Sequence, residues 1–379
     1  MGGLSLRGKV VGWIREFLDG ARGLSRYDVG ETVEGLAKKL GLEPSAILKL
    51  NSNENLFIPI HFLRETLMEV VRELDPRIYP RDERSRLEEE LSRYLGVKPD
   101  QIVIGAGSDQ LIELVVNAFL NEKSEAISIF PTFPIYERVV RIRRAGFRRI
   151  PLKGDFSLDV DQMLSEVKPE TKLIFLCSPN NPTANQFPLE DVGRLIEGFD
   201  GVVVVDEAYA EFAEYSLINL ADRFENLIVL RTFSKSFGLA GLRLGYLISD
   251  GEIATILRER FQMPYAASSI AIRMGLKLLE RVDVIEDAIM RLREVRSRIL
   301  SRLNHIDGVR AFNSETNFIL MSLNKNSDMV YSGLLSRGVI VRKIGDVLGY
   351  RNCIRVTVAP QEMMDQFIEV LEEVLADNG

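Results

Sequence analysis

The chain has 379 residues, 46% of them hydrophobic, with 48 Lys and Arg against 55 Asp and Glu for a formal net charge of −7. That length predicts two domains with a sizeable core, and the mildly acidic balance argues against a dedicated nucleic-acid binder. Two cysteines, Cys177 and Cys353, are too few for a disulfide framework or a four-thiolate zinc site, and two histidines, His61 and His305, leave histidine-based metal or acid–base chemistry almost no material.

Residues 1–23 mix apolar residues with charges of both signs, which breaks any secretory hydrophobic region. Within them Trp13, Ile14, Phe17 and Leu18 would line one side of a helix that packs on the body of the protein or on a partner. No apolar run approaches the roughly 18–20 residues needed to cross a bilayer, so no membrane association is expected and the expected location is cytoplasmic. From 101 to 250, short apolar runs alternate with helical stretches: strands at 101–104, 126–129, 172–177, 202–205, 227–231 and 244–249, with helices at 109–120 and 132–145. Runs that are apolar throughout fit strands covered by helices on both faces, which predicts an α/β domain with a mostly parallel sheet. The densest basic run, Arg138, Arg141, Arg143, Arg144, Arg148 and Arg149, reads as a solvated face around a helix end near Gly146 rather than as a phosphate patch. Beyond 270, amphipathic helices at 271–281 and 284–304, strands at 317–321, 339–342 and 354–358, and a last helix at 361–376 predict a smaller α+β domain. The expected division is an N-terminal arm and part of the small domain over 1–50, a large domain over 51–270 and the small domain over 271–379.

In open α/β sheets ligands bind beyond the carboxyl ends of the strands, so the residues just after the apolar runs carry the most information. Asp206 follows 202–205 and is either a carboxylate of a site or the N-cap of a following helix. Lys235 lies between an apolar strand and a Gly-rich segment, where poor solvation lowers an amine's pKa and makes it a nucleophile for Schiff-base chemistry; the competing reading is a solvated surface lysine. Ser178-Pro179-Asn180-Asn181-Pro182-Thr183 offers two amides that serve either a site or a turn. Gly105-Ala106-Gly107-Ser108-Asp109 precedes a helix whose free N–H groups suit a phosphate, although it lacks the third glycine of the dinucleotide fingerprint. With Arg243 and the aromatic Phe133, these are the parts that pyridoxal 5′-phosphate requires: a lysine, an acidic partner for the ring nitrogen, a phosphate cup and a ring to stack on.

The segments 232–241, 178–183 and 206–209, with Arg243 eight residues after Lys235, also resemble the fold-type I pyridoxal-phosphate enzymes, and within them the class-II aminotransferases of the histidinol-phosphate group. The resemblance runs from Tyr27 to the terminal helix. It implies an α/β large domain with a mostly parallel central sheet flanked by helices, plus a smaller α+β C-terminal domain. By the same resemblance Lys235 would carry the cofactor and move a proton at the substrate's Cα, Asp206 would hold the ring nitrogen protonated, and Asn181 and Tyr209 would bond the ring oxygen. Phe133 would stack on the ring, and Gly107, Ser108, Asp109, Thr232, Ser234 and Arg243 would surround the phosphate. Tyr79, in Ile78-Tyr79-Pro80, would reach the phosphate from the other subunit of a homodimer with shared sites. Tyr27, Asn53, Asn181, Arg342 and Arg355 would contact substrate; Leu56 and Ala359 depart from the family's usual proline and glycine, and Tyr27 and Arg342 are alternatively ordinary surface residues. The implied reaction is transamination of L-histidinol phosphate with 2-oxoglutarate. An aromatic amino-acid aminotransferase, a threonine-phosphate decarboxylase and a non-catalytic binding protein are the alternatives. No metal is expected.

Overall fold

The computed structural model describes residues 11–24 and 29–377. Its strands, in chain order, are β1 (Leu48–Lys49), β2 (Ile102–Gly105), β3 (Glu125–Phe130), β4 (Gly146–Pro151), β5 (Thr171–Cys177), β6 (Val202–Asp206), β7 (Leu227–Thr232), β8 (Gly245–Ile248), β9 (Val309–Ala311), β10 (Phe318–Leu323), β11 (Val339–Ile340), β12 (Arg342–Val347) and β13 (Tyr350–Thr357). Seven of them form one sheet in the order β2-β8-β7-β6-β5-β3-β4. All neighbours are parallel except β8, which runs antiparallel to both β7 and β2. The carboxyl ends of β2, β3, β5, β6 and β7 therefore emerge along one edge, and β8 begins at that same edge.

The sheet is buried on both faces because its side chains alternate between two apolar layers. Val103, Phe175, Val204, Leu230 and Leu247 meet the helices Ser108–Phe119 and Ile135–Ile142 on one face. Ile104, Ile174, Val203, Val205 and Val229 join the main core on the other. A second, antiparallel sheet, in the order β12-β13-β10-β9, packs with the helices Val282–Leu303, Ser327–Ser336 and Gln361–Ala376. The short β1 pairs in parallel with β11, Leu48 opposite Val339, so the chain is already tied to its C-terminal region before it enters the large sheet.

Two expectations need correction, and two open alternatives are narrowed. The helix expected over 132–145 spans only Ile135–Ile142, since Pro134 caps its start and the chain turns at Arg143 and Arg144 into β4, a strand the sequence reading omitted. β4 takes the edge of the sheet, where a strand can carry the paired charges of Arg148 and Arg149, and Arg148 is an ion-paired, largely covered residue rather than part of a solvated face: it bridges Glu125 and, at 2.7 Å, Glu166. Arg141, Arg144 and Arg149 are likewise matched by Glu137 and Glu122. Asp206 caps no α-helix; only a 3-10 turn, Ala210–Phe212, follows it. The helix Val11–Arg22 leaves Trp13 (72% exposed) and Phe17 on its surface, stacked on one another at 5.9 Å, so it does not bury that face against its own protomer.

Beneath β6 and β7 lies a buried ionic cluster. Arg231, one residue before Thr232 and hence facing the opposite side of the sheet, stands 3.5 Å from Glu207 and 3.1 Å from Glu211, all three side chains being at least nine-tenths buried. Glu207 also accepts bonds from the Ser216 hydroxyl and the Leu217 amide, both at 2.6 Å, and burial raises its pKa. Removing the one cation strands two carboxylates in a dry interior. Arg231→Met is therefore expected to cost about 3–5 kcal/mol, measured by urea or thermal unfolding.

Candidate active site

A cleft of about 290 Å³ opens at the carboxyl edge of the large sheet, with the small sheet forming its far wall. Asp206, the last residue of β6, lies at its floor, buried, and accepts bonds from the Tyr136 hydroxyl (2.6 Å) and the Ala208 amide (3.1 Å). Among the described residues no cation stands within ion-pair distance of it. Burial pushes its carboxyl up to about 6, against the opposing pull of the Tyr136 hydroxyl. Lys235, three residues beyond the end of β7, donates to the Ser52 carbonyl at 3.0 Å and holds its amine 5.7 Å from the centre of the Tyr209 ring. Its amine lies deep in the cleft, and burial, reinforced by the Arg355 cation, lowers its pKa to about 8. The surface-lysine reading is thereby set aside.

At one end of the cleft the helix Ser108–Phe119 begins without a side-chain cap, its N-terminal N–H groups next to Arg243. Gly107 precedes it at φ +83°, and a Cβ there would fall 2.7 Å from Arg243 Nη2, so the turn tolerates only glycine. Arg243 itself sits in the left-handed region at φ +53°, held by Asp109 (3.0 Å), Ser234 (3.3 Å) and the Ala240 carbonyl (3.3 Å). Thr232 accepts from the Ser234 amide at 3.1 Å and shapes the same turn. N–H groups, hydroxyls and a guanidinium converge here as a cradle for a doubly charged anion.

At the other end Arg355, on β13, donates to Asn181 Oδ1 and, at 2.9 Å, to the Asn51 carbonyl, and lies 5.0 Å over the Phe318 ring. Tyr209 accepts from Asn53 Nδ2 at 3.0 Å, and burial raises its pKa. Asn53 Oδ1 is buried and has no partner among the described residues, which suits a donor on a bound molecule. Phe133 lines the wall edge-on to Tyr136, and Arg342 lies across the mouth beside Gly30.

The fold thus brings Asn53, Ser108, Asp109, Phe133, Asn181, Asp206, Tyr209, Thr232, Ser234, Lys235, Arg243, Arg342 and Arg355 around one cleft, with Gly107 directly behind Arg243. It does not bring Tyr79 there: that ring is 67% exposed and stacks on Tyr265 at 4.3 Å, away from the cleft of its own protomer. Tyr27 lies outside the described residues. The two readings of the Asn180-Asn181 pair divide between them. Asn180 binds the Pro131 carbonyl (3.0 Å) and Thr183 (2.7 Å) and makes the turn, while Asn181 faces the cleft. Sequence reasoning missed Tyr136, Ser52 and Cys177; Tyr136 follows Phe133 by one helical turn and looks like any core aromatic, and Ser52 acts through its backbone, which no residue type announces.

The family model for class I and II aminotransferases matches residues 45–371. Over 328 residues the chain is 39% identical to a histidinol-phosphate aminotransferase of Thermoanaerobacter sp. (strain X514), covering 86% of this chain and 93% of that one. It is 36% identical to one from Caldanaerobacter subterraneus subsp. tengcongensis, with the same coverages. Among solved structures, the histidinol-phosphate aminotransferase of Sinorhizobium meliloti in complex with pyridoxal-5′-phosphate superposes with a TM-score of 0.84 at 26% identity, covering 94% of this chain and 96% of that one.

The state of Asp206 can be read without any ligand. Its folded value, about 6, stands above the ordinary 3.8, so its contribution to stability is fully present below about pH 4 and is lost as pH rises through 6. Cofactor-free Asp206→Asn is expected to be more stable than the parent at about pH 7.5, by up to about 3 kcal/mol, with the advantage roughly halved at about pH 5. Urea unfolding at the two pH values measures this.

Proposed function

This chain belongs to the class I and II aminotransferases, and from that membership we propose that it exchanges an amino group between L-histidinol phosphate and 2-oxoglutarate in histidine biosynthesis, with pyridoxal 5′-phosphate as cofactor. The observation that carries the reading is the juxtaposition in one cleft of a desolvated amine, Lys235, and a buried carboxylate, Asp206, with no cation in ion-pair distance of it among the described residues. Relatives named for this activity match most of the chain. We divide the chain into an N-terminal arm with part of the small domain (1–50), a large domain (51–270) and a small domain (271–379); the two sheets and the β1–β11 pairing support the division.

The cofactor, when bound, supplies an aldehyde for the lysine and a ring that draws electrons away from the substrate's Cα. Lys235 would be the residue that holds the cofactor's aldehyde end, and its free amine would take and return the proton at the substrate's Cα, a task that its lowered pKa suits. Asp206, hydrogen-bonded by the Tyr136 hydroxyl, would hold a proton on the ring nitrogen, and a cation there would offset the cost of burying the carboxylate. Asn181 and Tyr209 bond the ring oxygen, and Phe133 covers the ring face. Gly107, Ser108, Asp109, Thr232, Ser234 and Arg243 cradle the phosphate, Asp109 by orienting Arg243. Arg355 and Arg342, with Asn53 and Tyr27, receive the anionic end of the substrate; Arg355 is already oriented by Asn181 and the Asn51 carbonyl.

The same proposal includes a cytoplasmic homodimer in which Tyr79 serves the partner's site. In support, Ile78, Tyr79 and Met263 expose 66%, 67% and 79% of their surface in the single protomer, and both cysteines are buried and free, as a reducing compartment allows.

Three measurements test the proposal. Lys235→Ala is expected to remove both the visible absorbance of the cofactor-loaded protein and transamination, by on the order of 10³-fold or more in kcat. In the parent, capture of the cofactor by the cofactor-free protein speeds up as pH rises through about 8 rather than 10.5. In half-reactions with single amino donors, L-histidinol phosphate and L-glutamate are expected to discharge the visible absorbance. A preference for L-phenylalanine, or release of carbon dioxide from O-phospho-L-threonine, would overturn the substrate assignment.

A further inference from the structure

Asn53 is one of the few non-glycine residues in the left-handed region, at φ +55°, and this is the conformation that turns its side-chain amide onto the Tyr209 hydroxyl at 3.0 Å. Asparagine tolerates this region better than most residues with a Cβ, but its neighbours still decide whether it adopts it. Here those neighbours come from the small sheet. Asn317, at the entry to β10, donates its side-chain amide to the Asn53 carbonyl at 2.8 Å. Thr357, at the end of β13, accepts the Asn53 amide on its hydroxyl at 2.9 Å. The two clamps are themselves locked together: Val358 N–H donates to the Asn317 carbonyl at 2.9 Å, Thr357 N–H donates to the Leu50 carbonyl at 2.8 Å, and Phe318 pairs in register with Thr357. All three side chains are essentially buried, Asn53 at 2%, Asn317 at 0% and Thr357 at 1% exposure. Phe318, next to Asn317, also packs edge-on against the Tyr209 ring at 5.2 Å.

We propose that Asn317, together with Thr357, is a positioning residue of this active site. It clamps the main chain of Asn53 in its left-handed turn so that the Asn53 amide donates to the Tyr209 oxygen and leaves the Tyr209 proton for the group in the cleft. The inference rests on the reading of the cleft as a cofactor site, but the clamp itself is a property of the polypeptide. Tyr209 belongs to the large sheet's edge while Asn317, Phe318, Thr357 and Arg355 belong to the small sheet. The hydrogen-bonding state of a residue beside the cofactor ring is therefore set from the same wall that carries the substrate-facing arginine.

The test is a double-mutant cycle read in two ways. Asn53→Gly takes a positive φ without cost but deletes the amide, and Asn317→Ala deletes the clamp. In the cofactor-free protein, Asn317→Ala is expected to lower the thermal midpoint by about 2–4 °C in the parent background and by less in the Asn53→Gly background, where the bond to the main-chain carbonyl is still lost but there is no side-chain amide left to be held on Tyr209. In the cofactor-loaded protein, loss of the donor to Tyr209 weakens the bond from Tyr209 to the ring oxygen. The pH midpoint of the visible absorbance is then expected to rise by about half a unit in either single variant, with no further rise in the double. Thr357→Val, nearly isosteric, should reproduce both effects and serves if Asn317→Ala folds poorly. Equal thermal losses in the two backgrounds, or additive spectral shifts, would overturn the clamp and leave Asn317 a structural residue only. Absence of any visible absorbance in the parent would instead refute the cofactor reading, while the thermal cycle would still decide the clamp.

Discussion

Two opposite charges are kept out of water at one edge of the sheet, and most of the molecule is arranged to make that possible. A carboxylate and an amine left to themselves would be hydrated at the surface; here Asp206 and Lys235 are forced into a dry cleft because β6 and β7, the two strands that deliver them, are buried along their whole length. The desolvation acts on each in the direction that disfavours its charge, raising the acid and lowering the base. A cation placed beside Asp206 and an electrophile placed at Lys235 would relieve both costs.

The parallel order of the strands makes the convergence possible. Because β2, β3, β5, β6 and β7 all run one way, the phosphate cradle, the aromatic wall, the Asn181 turn, the carboxylate and the lysine leave the sheet at a common edge. The reversed β8 brings Arg243 back to the same edge, where Gly245 lies opposite both Gly105 and Thr232. A Cβ on Gly245 would stand 2.9 Å from the Gly107 backbone, which shows how closely the cradle and the strand beneath it are fitted.

The small sheet supplies what the large one cannot: a wall with its own register. Arg355 and Thr357 lie two apart on β13 and so share a face, and Asn317 and Phe318 meet them across the pairing with β10. This wall brings the Arg355 cation to the cleft, packs against the ring of Tyr209 and holds Asn53.

Much of this was legible in the sequence, and for definite reasons. The apolar runs before Asp206 and Lys235 announced buried strands, and the helix over 361–376 coincides with Gln361–Ala376 because its apolar spacing is unbroken. The lysine, the carboxylate, the Asn-Pro turn and the glycine turn were recognisable because each needs a particular residue type in a particular local conformation. Other features carried no local signal. β4 is an edge strand whose Arg148 is covered by partners 23 and 18 residues away, so its polarity read as solvation. Tyr136, Asn317 and Thr357 are ordinary core and strand residues until the fold sets them beside Asp206 and Asn53. Residue type and local backbone preference, both carried by the order of amino acids, were enough to show which groups could do chemistry. Which of them share a cleft, which charges are desolvated and which main-chain conformations are held came from folding, because these depend on contacts between segments up to 304 positions apart that no local pattern encodes.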